Sequence, residues 1–165
     1  MTPEQFADKL RRVARELEQL DHSDTLQSCA AVVERSVRTN FSRKVRSDGV
    51  AWAARKVTIY PSEIRSRWNH PLLILTGRLI NAASGGMGHY RKVGKKSMEM
   101  GVDPSVVPYA RVHQDGGSSV LPNGRTITIP SRQYFYLHAS DRPKLVRVIR
   151  DRTKVKVLAL FGKSS

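Results

Sequence analysis

The sequence predicts an α+β fold in a single domain. Apolar residues recur at helical spacing before residue 44 and again after residue 140, whereas short alternating runs bounded by glycine and proline lie between. A length of 165 residues with 39% hydrophobic residues suits one core. We divide the chain into a helical hairpin over 1–46, a sheet-containing core over 47–139, and a C-terminal helix and tail over 140–165.

Two helices are predicted before residue 47. Thr2 can cap the first helix and Pro3 suits its first turn. Its apolar residues, spaced by three and four positions, are Phe6, Leu10, Val13, Leu17 and Leu20. This face either covers the core or packs against a neighbouring subunit. After a polar break, a second helix is expected over about residues 25–43, with Leu26, Ala30, Val33, Val37 and Phe41 on its apolar side.

Turns and short elements are predicted over residues 47–83. Asp48-Gly49 indicates a tight turn, and Trp52 follows closely enough to fill the end of the core. Residues 57–60 have a strand-like composition. Thr76 can cap a short helix through Leu79 and Ala83.

A β-hairpin is predicted next, with strands over about residues 88–93 and 97–102 and a turn at 94–96. Tyr109, Val112 and His113 then share one side of a short helix that Gly116-Gly117 should end. Tyr109 and His113, one turn apart, are placed to bond a strand or loop. Residues 118–125 are expected to form a loop, and residues 125–129 a strand stopped by Pro130.

A last helix is predicted after Ser140 or Asp141, either of which can cap it. The apolar residues on its inner side are Leu145, Val146, Val148 and Ile149. The apolar stretch over residues 155–161 is expected to form a strand, which pairs either with the sheet or with another chain.

Charge is the strongest compositional signal. The net charge is +15, with 13 basic and 9 acidic residues over 1–68 and 16 basic and 5 acidic over 69–165. Such a balance favours an anionic partner, either nucleic acid or an acidic protein surface. We expect no membrane association, because no apolar run approaches the roughly 18 residues needed to span a bilayer. No signal peptide is expected at the N-terminus.

A cluster of basic residues accompanies the last helix. The candidate contacts for an anionic partner are Arg142, Lys144, Arg147 and Arg150. They form either a solvated face or a surface for DNA or an acidic protein. No recognition helix, zinc finger or RNA-binding sheet pattern accompanies them, so specific reading of bases is not expected.

No residue pattern predicts catalysis, a cofactor or a metal. The single cysteine, Cys29, excludes an internal disulfide and is expected to be a buried helical residue. The five histidines lack metal-ligand spacing, and no phosphate-binding loop is present. His113 beside Gln114 and Asp115 could suggest a general base, but no nucleophile motif accompanies it. We therefore expect a protein that is not an enzyme.

Four short patterns, taken in order, resemble the virion morphogenesis or tail-completion family of tailed phages. The residues that carry the resemblance are Asp48, Gly49 and Trp52, then Thr76, Gly77 and Arg78, then Tyr109, His113, Gln114 and Gly117, then Pro130 and Arg132. The resemblance spans about residues 41–137. It implies helices packed against a small, largely antiparallel sheet.

The resemblance also implies a function. Members of this family complete the head-proximal end of the tail and join it to the head, typically as a ring. It implies a hexamer here, with the tail terminator or tube and the head connector as partners. The protein would then reside at the head–tail junction of the virion, after assembly in the host cytoplasm. The alternative is a basic nucleic-acid-binding module without catalytic activity, and passing genomic DNA remains a possible non-specific contact.

Overall fold

A computed structural model of the chain describes residues 3–54, 72–74, 76–120 and 123–162. Five helices and four strands lie within these residues. In chain order they are α1 (Pro3–Glu18), α2 (Ser23–Arg43), α3 (Arg78–Ala83), β1 (His89–Val93), β2 (Met98–Val102), α4 (Ala110–Asp115), β3 (Gly117–Val120), β4 (Thr126–Ile129) and α5 (Arg142–Gly162), with a 3₁₀ turn at Ala139–Asp141 before α5. The predicted α+β class is confirmed.

The strands of the described residues form two separate antiparallel hairpins. In the first, β1 pairs with β2, and His89 lies opposite Val102. In the second, β3 pairs with β4, and Gly117 lies opposite Ile129. The first hairpin packs on α2 and α3, whereas β3 contacts α4. Both hairpins therefore depend on helices for support, as two-stranded sheets generally do.

The hydrophobic core lies where α2, α3 and α4 meet. Phe41 of α2 is fully buried and stands edge-on to Trp52, with ring centroids 5.8 Å apart. It also contacts Tyr134, with ring centroids 5.3 Å apart. The other core residues are Val37, Leu79, Ala82, Ala83, Val107 and Ala110. Trp52 thus takes the core position that its spacing after the Asp48-Gly49 turn predicts.

The C-terminal helix corrects two predictions. Val146 and Ile149, expected on its inner side, are 62% and 42% exposed. Residues 155–161, expected to be a strand, continue α5 as far as Gly162. Lys156 in this stretch binds the carboxylate of Asp24 and the backbone oxygen of Asp21 near the start of α2. Because Lys156 lies one helical turn beyond Arg152, which also approaches Asp24, the helical spacing places both cations on α2. Valine and lysine alternate over residues 154–157, and this alternation is what predicted a strand.

Two further predictions were wrong in detail. Residues 117–120, partly assigned to a loop, form β3, because Ser118 and Val120 pair with Thr128 and Thr126 of β4. Thr76 does not occupy the cap of α3. Gly77 does, in the left-handed region at φ 71°, and Thr76 Oγ1 lies 3.4 Å from the backbone N of Arg78.

The N-terminal helices follow their sequence patterns with one qualification. Cys29 is buried in α2, as expected. In α1, Val13 is 3% exposed, whereas Leu10 is 47% and Leu17 is 36% exposed. The apolar face of α1 is therefore only partly covered, where α1 packs against α5. The Thr2 cap and the strand-like residues 57–60 lie outside the described residues.

Candidate functional site

The short helix α4 is joined to residues 131–138, a segment that we call the strap. Gln114 Oε1 accepts hydrogen bonds from the backbone N–H groups of Tyr134 and Phe135, both at 3.0 Å. Its Nε2 donates to the Phe135 carbonyl at 3.4 Å. The main-chain oxygen of Gln114 also accepts from the Ser131 hydroxyl at 2.8 Å. The Gln114 side chain thus bonds backbone groups of the strap, as a neighbouring strand would in a sheet.

Arg132 and Trp52 join the strap to the chain that follows α2. Arg132 Nε donates to the carbonyl of Ala53 at 3.1 Å, and its backbone N–H donates to the carbonyl of His113 at 2.7 Å. Trp52 Nε1 donates to the carbonyl of Gln133 at 3.0 Å. Arg132 is 7% exposed. A buried guanidinium needs acceptors, and backbone carbonyls supply them here.

Helix α2 holds the other side of the strap through buried polar side chains. Asn40 Nδ2 donates to the carbonyls of Tyr134 at 3.1 Å and Tyr136 at 2.8 Å. The Ser36 hydroxyl accepts from the backbone N–H of His138 at 3.1 Å. Sequence reasoning missed both residues. Two polar residues spaced by four, between the apolar positions 33, 37 and 41, were the signal that could have identified them.

The Asp48-Gly49 turn closes a small loop beside this network. Gly49 has φ 83°, and Asp48 Oδ1 accepts from the backbone N–H of Val50 at 3.1 Å. Asp48 also pairs with Arg46 at 2.6 Å. The turn brings Ala51 opposite Val45 in a β-bridge, which directs Trp52 into the core.

Two glycines and a proline shape the passage from α4 into β3 and out of β4. Gly116 has φ 83°, and a Cβ at this position would lie 3.0 Å from the backbone N of Ser131. A Cβ on Gly117 would lie 3.0 Å from a methyl group of Val112. Pro130 directly follows β4 and precedes the strap. Gly116 therefore allows the close approach of two backbone segments, and Gly117 leaves room for the Val112 side chain.

Four predicted motif residues line one open groove. Thr76, Arg78, Tyr109 and His113, together with Leu73 and Leu79, surround a volume of about 400 Å³. An Arg78 guanidinium nitrogen donates to the carbonyl of Val106 at 3.2 Å. The structure therefore brings the Thr76–Arg78 and Tyr109–His113 patterns together, whereas Trp52, Gln114 and Arg132 serve the strap.

His113 is one of the residues that line the groove. Its ring stands edge-on to Tyr109, with centroids 5.8 Å apart, so the two residues share a face as predicted. Burial lowers the pKa of His113, and the positive charge of Arg132 lowers it further. Within the described part of the chain, His113 Nδ1 is buried and makes no hydrogen bond. The arrangement favours a neutral imidazole that fills space beside Arg132.

The basic residues of α5 divide between two sides of the helix. Arg152 and Lys156 face α2 and pair with Asp24, whose pKa is lowered chiefly by its hydrogen bond to Lys156. The outward side carries Arg147 and Arg150, which share Asp151 at 3.7 Å and 3.1 Å.

The remaining candidate contacts lie at the start of α5. Lys144 pairs with Asp141 at 2.7 Å, while 63% of the Lys144 side chain stays exposed. Arg142 is exposed as well. Arg147 and Arg150 are 77% and 70% exposed. All four candidate residues therefore reach solvent, although three have a carboxylate neighbour.

The described residues contain neither a cluster of metal ligands nor a helix that could span a membrane. No group of three or more histidine, cysteine, aspartate or glutamate side chains that could hold a metal ion occurs there. In the same residues, no helix combines the length and the apolar character needed to cross a membrane.

Comparison with known proteins gives one family. The model of the phage virion morphogenesis family matches residues 2–154 of the 165. Comparisons with curated proteins and with solved structures give no match. The family match covers the helices, both hairpins, the strap and most of α5. The chain therefore belongs to the phage virion morphogenesis family, whose members are structural and assembly proteins of bacteriophage virions.

Proposed function

We propose that this protein is a non-enzymatic structural subunit that completes the head-proximal end of a phage tail and joins it to the head. In this proposal it acts at the head–tail junction as a ring of identical subunits, with six as the expected number. Its partners are the tail terminator or tube proteins and the head connector. Membership of the virion morphogenesis family supports an assembly role.

The proposal rests on the hydrogen bonds that the motif side chains make. Gln114, Arg132 and Trp52 direct their polar atoms to backbone groups of the same chain. A catalytic set would instead need a nucleophile and an oriented base facing a substrate. Residues that fix the backbone suit a subunit whose shape has to be complementary to its neighbours.

A ring of identical subunits needs two different complementary surfaces on each subunit. The partly exposed leucines of α1, Leu10 and Leu17, supply one apolar candidate. The outward side of α5 supplies another, because Val146, Val155 and Leu158 are more than half exposed beside its cations. Exposed apolar patches of this kind are typical of protein interfaces.

The candidate cations fit an acidic neighbouring protein better than DNA. Arg142, Lys144, Arg147 and Arg150 lie on one short stretch of an exposed helix. If these cations lined the central channel of the ring, they would attract the DNA phosphates and slow the passage of DNA. An acidic face on a neighbouring ring would instead fix the register of the two rings.

The test is replacement of these four residues by glutamine in a phage genome. We expect the purified subunit to stay folded and infectious particles to fall at least about tenfold, because interfacial charge pairs guide association. The matched control replaces Lys92, Lys95, Lys96 and Arg111, which are exposed elsewhere, so that it removes the same charge. Normal particle yield from the α5 variant would contradict this role, as would equal losses from both variants.

The second candidate function is non-specific binding of nucleic acid. The outward cations of α5 favour it, since Arg147, Arg150 and Lys154 are all exposed on a single helix. A monomer that binds duplex DNA with an affinity falling steeply as salt rises would support this function. Weak binding at physiological salt by an otherwise assembly-competent subunit would count against it.

A further inference from the structure

Among the described residues, the β3 and β4 strands pair only with each other. Within that part of the chain, the outer side of each strand has backbone N–H and C=O groups without a strand partner. The exposed side chains of the two strands are small or uncharged. They are Ser118 and Val120 in β3 and Thr126 and Thr128 in β4.

The other hairpin shows how this chain protects an edge. Arg91 and Lys92 lie in β1, and Lys95 and Lys96 lie in the turn. Charged side chains on edge strands discourage pairing with another chain. This hairpin also packs against both α2 and α3.

The β3–β4 hairpin carries far less charge. Arg125 is the only charged residue over 117–129, in a chain that is 26% charged and carries +15. The β4 sequence Thr-Ile-Thr-Ile has a high preference for strands. An acidic partner would find almost no counter-charge here, whereas two such hairpins can approach each other without electrostatic repulsion.

We propose that β3–β4 hairpins of neighbouring copies join edge to edge, with β4 of one subunit pairing with β3 of the next. This inference rests on the proposed ring. The occupant of each edge is a second copy of this chain, because the uncharged strands suit an equally uncharged partner within a strongly cationic protein. Backbone hydrogen bonds supply the attraction, and uncharged side chains permit it.

In a ring, both outer edges of every hairpin gain a strand partner. Rotation about the ring axis keeps each hairpin in the same orientation relative to that axis. Because β3 and β4 run in opposite directions, β4 of one copy meets β3 of the next in antiparallel orientation. Each copy uses two different edges, so the contact is heterologous, which is the kind of contact that a ring requires.

The first test places lysines on this hairpin. The full-length variant T126K/T128K changes two exposed positions of β4. Its control, M87K/S97K, adds the same charge at exposed positions outside β3 and β4. We expect the β4 variant to raise the concentration needed for half-assembly at least about tenfold over wild type, and the control to raise it far less. Equal assembly of wild type and the β4 variant would overturn strand addition while leaving the ring intact.

The second test needs no variant and guards against misfolding of T126K/T128K. Hydrogen exchange of wild-type amides is compared between the assembled and the dissociated protein. We expect exchange over residues 117–120 and 126–129 to slow at least about tenfold on assembly, because edge amides gain partners. Unchanged exchange there in a formed ring would overturn the inference, whereas a wild-type chain that forms no ring would count against the proposed function itself.

Discussion

The side-chain oxygen of Gln114 accepts the backbone N–H of Tyr134 at 3.0 Å, and the Tyr134 hydroxyl returns a hydrogen bond to the carbonyl of Ala110 at 3.1 Å. Helix α4 and the strap are therefore joined in both directions. Burial raises the pKa of Tyr134, so its hydroxyl stays protonated and continues to donate. This reciprocal contact fixes the aromatic ring against Phe41 in the core.

Replacing Gln114 with alanine should destabilise the fold. The N–H groups of Tyr134 and Phe135 would lose their acceptor in a half-buried site, and we expect a loss of about 2 kcal/mol in the free energy of unfolding. Gln114→Glu keeps an accepting oxygen and should cost less. Urea unfolding measures both changes. Equal losses in the two variants would show that the accepted hydrogen bonds are not what matters.

Gly116→Ala should be severely destabilising. Gly116 has φ 83° and ψ 173°, and its Cβ would meet the backbone N of Ser131 at 3.0 Å. We expect a loss of at least about 3 kcal/mol, from backbone strain and collision together. Gly124→Ala is the control, because Gly124 has φ 77° with nothing within 4 Å. It should cost about 1 kcal/mol from strain alone. Similar losses in thermal unfolding would contradict the collision.

Stability should fall as the pH drops through the titration range of His113. Its folded pKa is lowered from 6.5 by burial and by Arg132, so below pH 6.5 the unfolded chain binds the proton more readily. The part of the free energy of unfolding that depends on neutral His113 is thus complete above pH 6.5. It is lost as the pH falls towards the folded pKa. His113→Gln should remove this part of the pH dependence in unfolding experiments. Parallel wild-type and variant profiles would refute it.

Substitutions on α1 should separate assembly from folding. Leu10 and Leu17 are partly exposed, so L10Q/L17Q should change the free energy of unfolding of the monomer by no more than about 1 kcal/mol. The same variant should weaken assembly, because an apolar surface of the ring would be lost. Val13→Gln is the contrast, since Val13 is 3% exposed and its replacement should destabilise the monomer. If L10Q/L17Q assembles as wild type does, α1 is not part of the ring interface.

The helical core was predictable because its periodicity is local. The apolar positions of α2 led directly to Val37 and Phe41, and the turn before Trp52 placed that ring in the core. The β1–β2 hairpin was predictable from alternation and a glycine turn. These features depend on residues that lie close together in the chain.

The strap could not be derived in the same way. Its hydrogen bonds join Asn40 to Tyr136 and Gln114 to Phe135, and polar side chains that bond a distant backbone leave no periodic signal. The strand predicted over residues 155–161 failed for a related reason. The pairing of Lys156 with Asp24 favours continuation of the helix, and it is visible only when α2 and α5 lie together.

The first measurement we would make is the mass of the purified protein, alone and mixed with phage tails that lack it. Our account predicts a closed ring of one stoichiometry, formed either in solution or on the head-proximal end of those tails, and visible there by electron microscopy. A monomer that leaves the tails unchanged but binds duplex DNA with a steep dependence on salt would contradict it and favour the nucleic-acid-binding function.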